Sequence, residues 1–390
     1  MKSLLFFLFI LAVLSCKKVD EFSVTNPGFV SVVENAKSQH SLYISSFTGN
    51  PFEKGKIYVV EDIEEKLASW ESAEPKKLNF DFQWPNGIET APSQFFGKNG
   101  IIINDGFLMP GKDDGKIYFL DTSENGGVDA SPVTLSTKKS GWYYHQCKFH
   151  DFDNDGIPEI IAASGHKPLF GSGTGELVML KQSKQGGSFT ETVLAKGPDT
   201  FVELYEQNGT VVIYAAEYFS KKLTLTYSTS NNWLDTSSIK SLTIDADLGT
   251  GFDIKIQQFY GKDHLLVTSQ GDSGKNGYVA IYEIPDNLLD TGSYTKHIIA
   301  KDFNPKSSTE GSGAPGICTE IGTTGQIFLS DDDGGNLYLL SPSDSNYNFQ
   351  LSKIEENDKT VGSVTLFVYG HSNYIIVANY SKGKVELWRC

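Results

Sequence analysis

Residues 115–120 read GKIYFL, a glycine and a lysine followed by apolar and aromatic residues. Related segments recur as GKIYVV at 55, GELVML at 175, KKLTLT at 221, GYVAIY at 277, GNLYLL at 335 and GKVELW at 383. The seven copies begin 46 to 60 residues apart. Self-similarity at such a period is typical of repeat proteins, in which each copy is one supersecondary unit.

Other short β-branched or apolar runs surround each copy. In the fourth unit, FVELYEQNG at 201 and VVIYAAE at 211 precede the repeated segment, and KSLTID at 240 follows it. Such runs, separated by turns containing Gly or Asn, are read as antiparallel strands. Four strands in each of seven units predict an all-β fold, a seven-bladed β-propeller of four-stranded antiparallel blades.

The seventh unit ends after its third strand, at Cys390. The segment EFSVT at 21–25 resembles the fourth strands of the other units in length and alternation. We therefore expect this N-terminal strand to close the ring, which would pair an edge that otherwise invites association.

The first residues, MKSLLFFLFILAVLSCKK, predict a signal peptide at 1–16, followed by one propeller domain at 17–390. The protein is therefore expected to be secreted. The segment Val13-Leu14-Ser15-Cys16 also resembles a bacterial lipobox, which would anchor the protein at a cell surface through a lipid on Cys16. Ordinary cleavage near Ser15 is the alternative. In a eukaryotic host, Asn208 and Asn379 would be glycosylation acceptors.

Composition excludes several partners. The net charge of −15 disfavours nucleic acid and anionic lipid, which are bound by positive surfaces. No apolar stretch after the predicted signal peptide is long enough to span a membrane. We expect a monomer. Cys147, Cys318 and Cys390 are too few and too scattered for a disulfide framework, and Cys147 and Cys318 are expected to be buried apolar residues.

An acidic loop stands out in the third unit, where residues 150–160 read HDFDNDGIPEI. The predicted hairpin between its first two strands carries alternating acids, a glycine for the turn and a further acid. Oxygens converging in this way suit Ca²⁺, which takes 6 to 8 oxygen ligands. The predicted ligands are Asp151, Asp153, Asp155, the carbonyl of Ile157, and Glu159.

Two other interpretations of this loop are less consistent with its residues. An EF-hand needs a bidentate Glu at position 12 and flanking helices, but that position is Ala162 and strands flank the loop. A solvated acidic turn without metal would leave closely spaced carboxylates that repel one another. We expect one structural Ca²⁺.

A strand, the pattern DxDxDGxxE and a second strand within a repeated blade resemble the FG-GAP/VCBS class of calcium-binding propeller repeats, which also occur in integrin α-subunits. The loop pattern covers only residues 151–159, whereas the blade pattern covers nearly all of 17–390. The equivalent hairpins of the other units lack the acids, so the several metals of the family are reduced to one expected here.

A ligand is expected on the opposite face of the ring, where the turns between second and third strands meet the entries to the first strands. The candidate ligand-binding residues there are Trp142, Tyr143, Asp105, Asp331 and Asp333. The candidate acid–base residues are His145, His166, Glu217 and Asp272. Each has an ordinary structural alternative, such as packing for the aromatic residues and an Asx-turn for the acids.

Two functions are consistent with this pattern. One is a calcium-stabilised binding protein that recognises a glycan or an extracellular protein through the loop-rich face. The alternative is an extracellular enzyme, a carbohydrate lyase, dehydratase or cyclase, with dispersed acid–base groups at the channel mouth. A deep pocket uniting two such groups would favour the enzyme, and a shallow, aromatic-rimmed face would favour binding.

Overall fold

The computed structural model describes residues 16–35, 38–137, 140–271, 276–304, 318–321, 325–332, 334–357 and 360–390. Within these ranges the chain forms seven four-stranded antiparallel sheets, which confirms the seven-bladed propeller. Most of the predicted signal peptide, residues 1–15, lies outside the described residues. None of the helices in the described part of the chain could span a membrane.

The first three blades contain strands β2 to β13. Blade 1 contains β2 (Pro27–Glu34), β3 (His40–Ser46), β4 (Lys56–Val60) and β5 (Lys76–Lys77). Blade 2 contains β6 (Pro85–Thr90), β7 (Gly100–Asp105), β8 (Ile117–Asp121) and β9 (Val133–Thr134). Blade 3 contains β10 (Trp142–His150), β11 (Glu159–His166), β12 (Thr174–Gln182) and β13 (Phe189–Lys196).

The next three blades follow in chain order. Blade 4 contains β14 (Val202–Gln207), β15 (Thr210–Ala216), β16 (Leu223–Ser228) and β17 (Ile239–Asp245). Blade 5 contains β18 (Gly251–Phe259), β19 (Lys262–Ser269), β20 (Gly277–Glu283) and β21 (Lys296–Phe303). Blade 6 contains β22 (Cys318–Ile321), β23 (Gln326–Asp331), β24 (Asn336–Pro342) and β25 (Phe349–Glu356).

Blade 7 unites both ends of the described chain. It contains β26 (Val364–Tyr369), β27 (Ser372–Asn379) and β28 (Lys384–Arg389), and its outer strand is β1 (Lys17–Ser23). Strand β1 runs antiparallel to β28, with Phe22 opposite Val385. The predicted closure by an N-terminal strand is confirmed, although the paired strand begins earlier than the predicted segment 21–25.

The blades pack face to face through apolar side chains of alternating strand positions. Between blades 1 and 2, for example, Tyr43 and Val59 share a buried cluster with Ile101 and Ile103. Burying one such aliphatic side chain stabilises the fold by roughly 1.5–3 kcal/mol. Six clusters of this kind account for the apolar residues of the repeated segments.

A short insertion covers the closing strand. Between β4 and β5 the chain forms helix α1 (Ile63–Lys66) and a 3₁₀ turn (Trp70–Ser72), which strand periodicity did not predict. Trp70 is fully buried, its ring lies 5.3 Å from that of Phe22, and its Nε1 donates to the carbonyl of Val385 at 3.2 Å. The insertion thus holds the outer strand of blade 7 against blade 1.

Cys16 and Cys390 form a disulfide bond across the same junction, with Cα atoms 4.1 Å apart. The scattered cysteines predicted no disulfide framework, and the Cys16–Cys390 bond corrects that prediction. The bond forms because β1 and β28 lie side by side, which no local spacing of cysteines reveals. Cys147 is buried and free, as predicted, whereas the side chain of Cys318 lies outside the described part.

The closing strand offers a direct test of ring stability. Phe22 is 4 % exposed and Val19, on the same strand, is 48 % exposed. We expect Phe22→Ala to lower the free energy of unfolding by about 3–4 kcal/mol, because it empties the space against Trp70. Val19→Ala is the matched control and should change it by less than about 0.5 kcal/mol. Equal effects of the two substitutions in urea denaturation would contradict this role for β1.

Candidate functional site

Two faces of the ring carry the candidate residues. We call the side with the turns between second and third strands the loop face, and the side with the hairpins between first and second strands the hairpin face. The acidic loop 151–158 joins β10 to β11 and therefore lies on the hairpin face. The turns 47–55, 106–116 and 167–173 of blades 1 to 3 lie on the loop face.

In the acidic loop, three carboxylates converge. One oxygen each from Asp151, Asp153 and Glu159 lies within 4.8 Å of the others, a spacing suited to shared coordination of a cation. Glu159 is 1 % exposed, and its Oε2 accepts a hydrogen bond from the amide of Phe152 at 2.9 Å. The donor set of hard oxygens fits Ca²⁺.

Hydrogen bonds from backbone amides of the turn fix Asp151 and Asp155. Asp151 accepts hydrogen bonds from the amides of Asp155 and Gly156 at 3.1 and 2.9 Å. Gly156 has a φ of +87°, a left-handed conformation that favours glycine. Asp155 accepts from the amide of Ile157 at 2.9 Å. These bonds fold the loop so that its carboxylates point toward one centre.

A lysine that the sequence analysis missed also reaches this centre. Lys181 Nζ lies 2.7 Å from Asp153 Oδ2, 2.8 Å from Asp155 Oδ2 and 2.8 Å from Glu159 Oε1. Its hydrogen bond lowers the pKa of Asp155, whereas burial raises the pKa of Glu159 despite the nearby ammonium. The carboxylates of the loop are therefore paired with a positive charge from the protein itself, the ammonium of Lys181 on β12.

On the loop face, aromatic rings fill the channel mouth. The ring of His145 lies 5.8 Å from that of Phe29, 4.7 Å from Phe201 and 5.8 Å from Phe252. Phe29, His145 and Phe252 belong to the first strands of blades 1, 3 and 5, which are not neighbours in the ring. These contacts therefore span the axis, and the rings form a plug across the channel.

The plug continues outward as a stack of aromatic side chains. Phe47 contacts Phe29 at 6.0 Å and stacks on Trp84 at 4.2 Å between ring centroids. Phe107 stacks on the other side of Trp84 at 4.5 Å. Tyr380 of blade 7 approaches Phe47 at 5.9 Å. Aromatic rings in such contact form a rigid apolar floor for this face.

The loop tips above this floor are strongly exposed. Phe52 is 93 % exposed, Leu169 75 % and Phe170 87 %. Pro51, beside Phe52, lies against Gly111 in the turn of the next blade, since a Cβ placed on Gly111 would be 3.3 Å from it. Contiguous exposed apolar surface marks interaction sites in soluble proteins, and these three side chains lie on loop-face turns of blades 1 and 3.

Two of the three predicted ligand-binding acids, Asp105 and Asp331, are described, and both are buried and hydrogen-bonded. Asp105 is fully buried and accepts hydrogen bonds from the amides of Gln83 and Trp84 at 3.1 and 2.7 Å. Burial raises the pKa of Asp105 to about 6. Asp331 is 1 % exposed and accepts from Asn336 Nδ2 at 3.1 Å. Asp333 lies outside the described residues.

Of the predicted aromatic residues, Trp142 is half-buried and stacks on His166 at 5.5 Å. Tyr143 is 2 % exposed and packs so closely on Gly165 that a Cβ there would lie 2.3 Å from its ring. Burial raises the pKa of Tyr143 well above its ordinary value. Packing therefore fixes Tyr143, and only Trp142 presents part of its ring to solvent.

The predicted acid–base residues do not meet. His166 Nδ1 lies 2.5 Å from the carbonyl of Gly141, and Glu217 accepts a hydrogen bond from Thr224 at 2.6 Å. His145 is 4 % exposed within the aromatic plug, and its Nδ1 has no hydrogen-bond partner. Asp272 lies outside the described residues. Among the described side chains, His166 and Glu217 therefore bond to separate partners, and His145 has only ring contacts around it.

A half-buried acid, Glu89, was not predicted from the sequence. Glu89 on β6 lies behind the plug, where Asn104 Nδ2 donates to its Oε2 at 2.7 Å and Cys147 Sγ lies 3.6 Å away. Burial raises the pKa of Glu89 to about 7. Nearby, Lys148 and Glu203 pair at 3.0 Å. These charged side chains of the first strands make the interior of the ring polar beneath an apolar mouth.

Comparisons with known proteins support the fold alone. No protein-family model matches the chain, and no curated protein sequence matches it. The Dos1 propeller is similar in structure, with a TM-score of 0.53, 12 % identity, and coverage of 96 % of this chain and 94 % of that one. A puromycin-hydrolyzing peptidase of Mycobacterium tuberculosis has a TM-score of 0.53 at 10 % identity, covering 93 % of this chain and 53 % of that one.

The aromatic plug predicts a specific acid sensitivity. Burial lowers the pKa of His145 to about 4, below its ordinary value of 6.5. Between these values the unfolded chain binds the proton more readily, so the free energy of unfolding should fall as the pH falls through this window, by at most about 3 kcal/mol.

The measurement is urea denaturation at several pH values between 4 and 7. His145→Leu should lose this part of the pH dependence, whereas the same change at the exposed His371 should retain it. A His145→Leu profile parallel to that of the unsubstituted protein would contradict the buried, neutral state of His145.

Proposed function

We propose that this protein is a binding protein that recognises a glycan or an extracellular protein through its loop face. The observation that carries the proposal is the exposure of Phe52, Leu169 and Phe170 on turns of the loop face, the face that also bears the rings stacked on Trp84. Binding energy at interfaces is concentrated in a few residues, among which large aromatic side chains are enriched.

Two features of the face support binding over catalysis. The channel mouth is filled by Phe29, Phe201 and Phe252 around His145. General acid–base catalysis requires groups within hydrogen-bond reach of one reacting site. Among the described residues, His166 and Glu217 bond to separate partners and His145 is enclosed by aromatic rings, so no observation favours the lyase, dehydratase or cyclase alternative.

The acidic loop on the hairpin face is the proposed calcium site. We propose that loop 151–159 binds one structural Ca²⁺, as the resemblance to FG-GAP/VCBS repeats implies. Asp151, Asp153 and Glu159 would hold the ion, with the help of Asp155 and the carbonyl of Ile157. Bound there, Ca²⁺ would supply positive charge to the hairpin between β10 and β11, on the face opposite the ligand. Its role would be stability rather than recognition.

Export is the proposed route to the site of action. A disulfide such as Cys16–Cys390 persists in oxidising compartments, which agrees with export. The bond requires Cys16 to stay in the mature chain, so we propose cleavage at or before Ser15 rather than after Cys16. Cys16 is only 8 % exposed. A sulfur in a disulfide bond cannot also carry a thioether-linked lipid, so the disulfide and the lipid anchor exclude one another at the Cys16 sulfur.

Of the two predicted glycosylation sites, Asn208 is exposed, whereas Asn379 is buried and hydrogen-bonded to Asn357 and Glu386.

Peptide mass spectrometry without reducing agent distinguishes the two fates of Cys16. We expect a Cys16–Cys390 cross-linked peptide that separates into two peptides on reduction, because the two residues are held side by side. A diacylglycerol adduct on Cys16 would instead overturn secretion as a free protein and place the chain on a membrane surface. Cys147, which is buried and unpaired, serves as the internal control for free thiol.

The loop face is tested with a double substitution, Phe52→Ser and Phe170→Ser. Glycan and extracellular-protein arrays identify a ligand of the unsubstituted protein, and titration then measures its Kd. We expect the double variant to bind at least about tenfold more weakly, since one lost aromatic anchor commonly costs more than 1 kcal/mol.

The matched control is Tyr369→Ser, because Tyr369 is 50 % exposed but lies at the end of β26 on the hairpin face. Its affinity should equal that of the unsubstituted protein. Unchanged binding in the double variant, or equal loss in the control, would contradict recognition through the loop face.

A further inference from the structure

The position of Lys181 follows from strand register. Leu180 on β12 is paired with Ile160 on β11, so the next residues, Lys181 and Glu159, lie side by side at the same edge of blade 3. The ammonium thereby reaches the open end of the hairpin. Its three donors match the three oxygens of Asp153, Asp155 and Glu159 at 2.7 to 2.8 Å.

The repeated segments show that this lysine is peculiar to the unit that carries the acidic loop. Lys181 is the seventh residue of its copy, GELVMLK. In three other copies the seventh residue is an acid, which would add to the repulsion within such a loop. The residues at this position in the other copies are Glu61, Asp121, Tyr227, Glu283, Ser341 and Arg389.

The ammonium and a metal ion would need the same oxygens. Both oxygens of Asp151 already accept amide hydrogen bonds, and one oxygen of Glu159 accepts from Phe152. Lys181 takes the other oxygen of Glu159 and one oxygen each from Asp153 and Asp155. Since Ca²⁺ requires 6 to 8 oxygen ligands, it cannot coordinate this set while the ammonium stays at the centre.

We propose that Lys181 is a tethered cation that keeps the loop folded without metal and competes with Ca²⁺ for its centre. The inference rests on the calcium site of the proposed function, which it deepens. Binding of Ca²⁺ then requires the side chain to swing outward, a movement open to it because it is 29 % exposed. Lys181 weakens the affinity for Ca²⁺ and makes the stability of the loop less dependent on the ion.

The test compares the unsubstituted protein with Lys181→Met, which keeps the length of the side chain and removes its charge. Calorimetric titration with CaCl₂ should show Ca²⁺ binding at least about tenfold tighter in the variant, because no ammonium has to be displaced. In EDTA the variant should melt about 3 °C lower, since the carboxylates lose their counter-charge, and Ca²⁺ should restore the melting temperature.

Three further variants make the outcome decisive. Lys196→Met is the matched control, because Lys196 pairs with Glu176 at the opposite end of blade 3, and it should match the unsubstituted protein in both measurements. Lys181→Gln keeps a polar group and serves if the Met variant does not fold. In the double variant Asp153→Asn/Lys181→Met, the fall in melting temperature in EDTA should be smaller than in Lys181→Met, because one of the repelling carboxylate charges has been removed.

The results separate the two proposals. Ca²⁺ binding of equal affinity with and without Lys181, and equal melting in EDTA, would overturn the competition and leave the calcium site intact. If neither protein binds Ca²⁺ at millimolar concentration, both the calcium site and the competition are overturned. Recognition through the loop face is measured independently and is touched by neither result.

Discussion

The pairing of β1 with β28 is the contact on which the rest of the structure depends. Every other blade is made from one continuous segment, whereas blade 7 takes its outer strand from residues more than 360 positions away, as in the pair Phe22 and Val385. The surrounding features converge on this junction. The Trp70 insertion covers the strand, Lys18 bonds to Glu386 at 2.9 Å, and a disulfide joins the outermost residues. A closed ring keeps each blade packed on two neighbours, and so it fixes the two faces on which the candidate sites lie.

The periodicity of the chain was sufficient to predict the fold, because each blade repeats the same alternation of buried and exposed positions. It could not predict features that depend on contacts between distant segments. The disulfide joins residues 374 positions apart, and α1 forms in a connection whose apolar residues, Ile63 and Trp70, share a cluster with residues of blades 1 and 7. Such contacts are properties of the closed ring and have no local signal.

The candidate sites were predicted unevenly, for a physical reason. The acidic loop is local, so its residues were identified together. Acids at strand ends, such as Asp105, looked available for ligands, but the chain uses them to satisfy backbone amides that have no ladder partner. Lys181 was missed because it is 22 residues beyond Glu159 and meets it only through strand register. The one available signal was a lysine at a repeat position where three other units carry an acid.

The disulfide between Cys16 and Cys390 has a topological consequence for the whole molecule. It joins the two ends of the segment 16–390, so that this segment forms one covalently closed macrocycle. A single proteolytic nick in any surface loop would open this circle without releasing a fragment, and the blades on both sides of the cut would stay in one covalent body. By the same logic, new termini could be placed in a loop of another blade and the old ones fused, so the blade at which this chain happens to begin is one choice among seven.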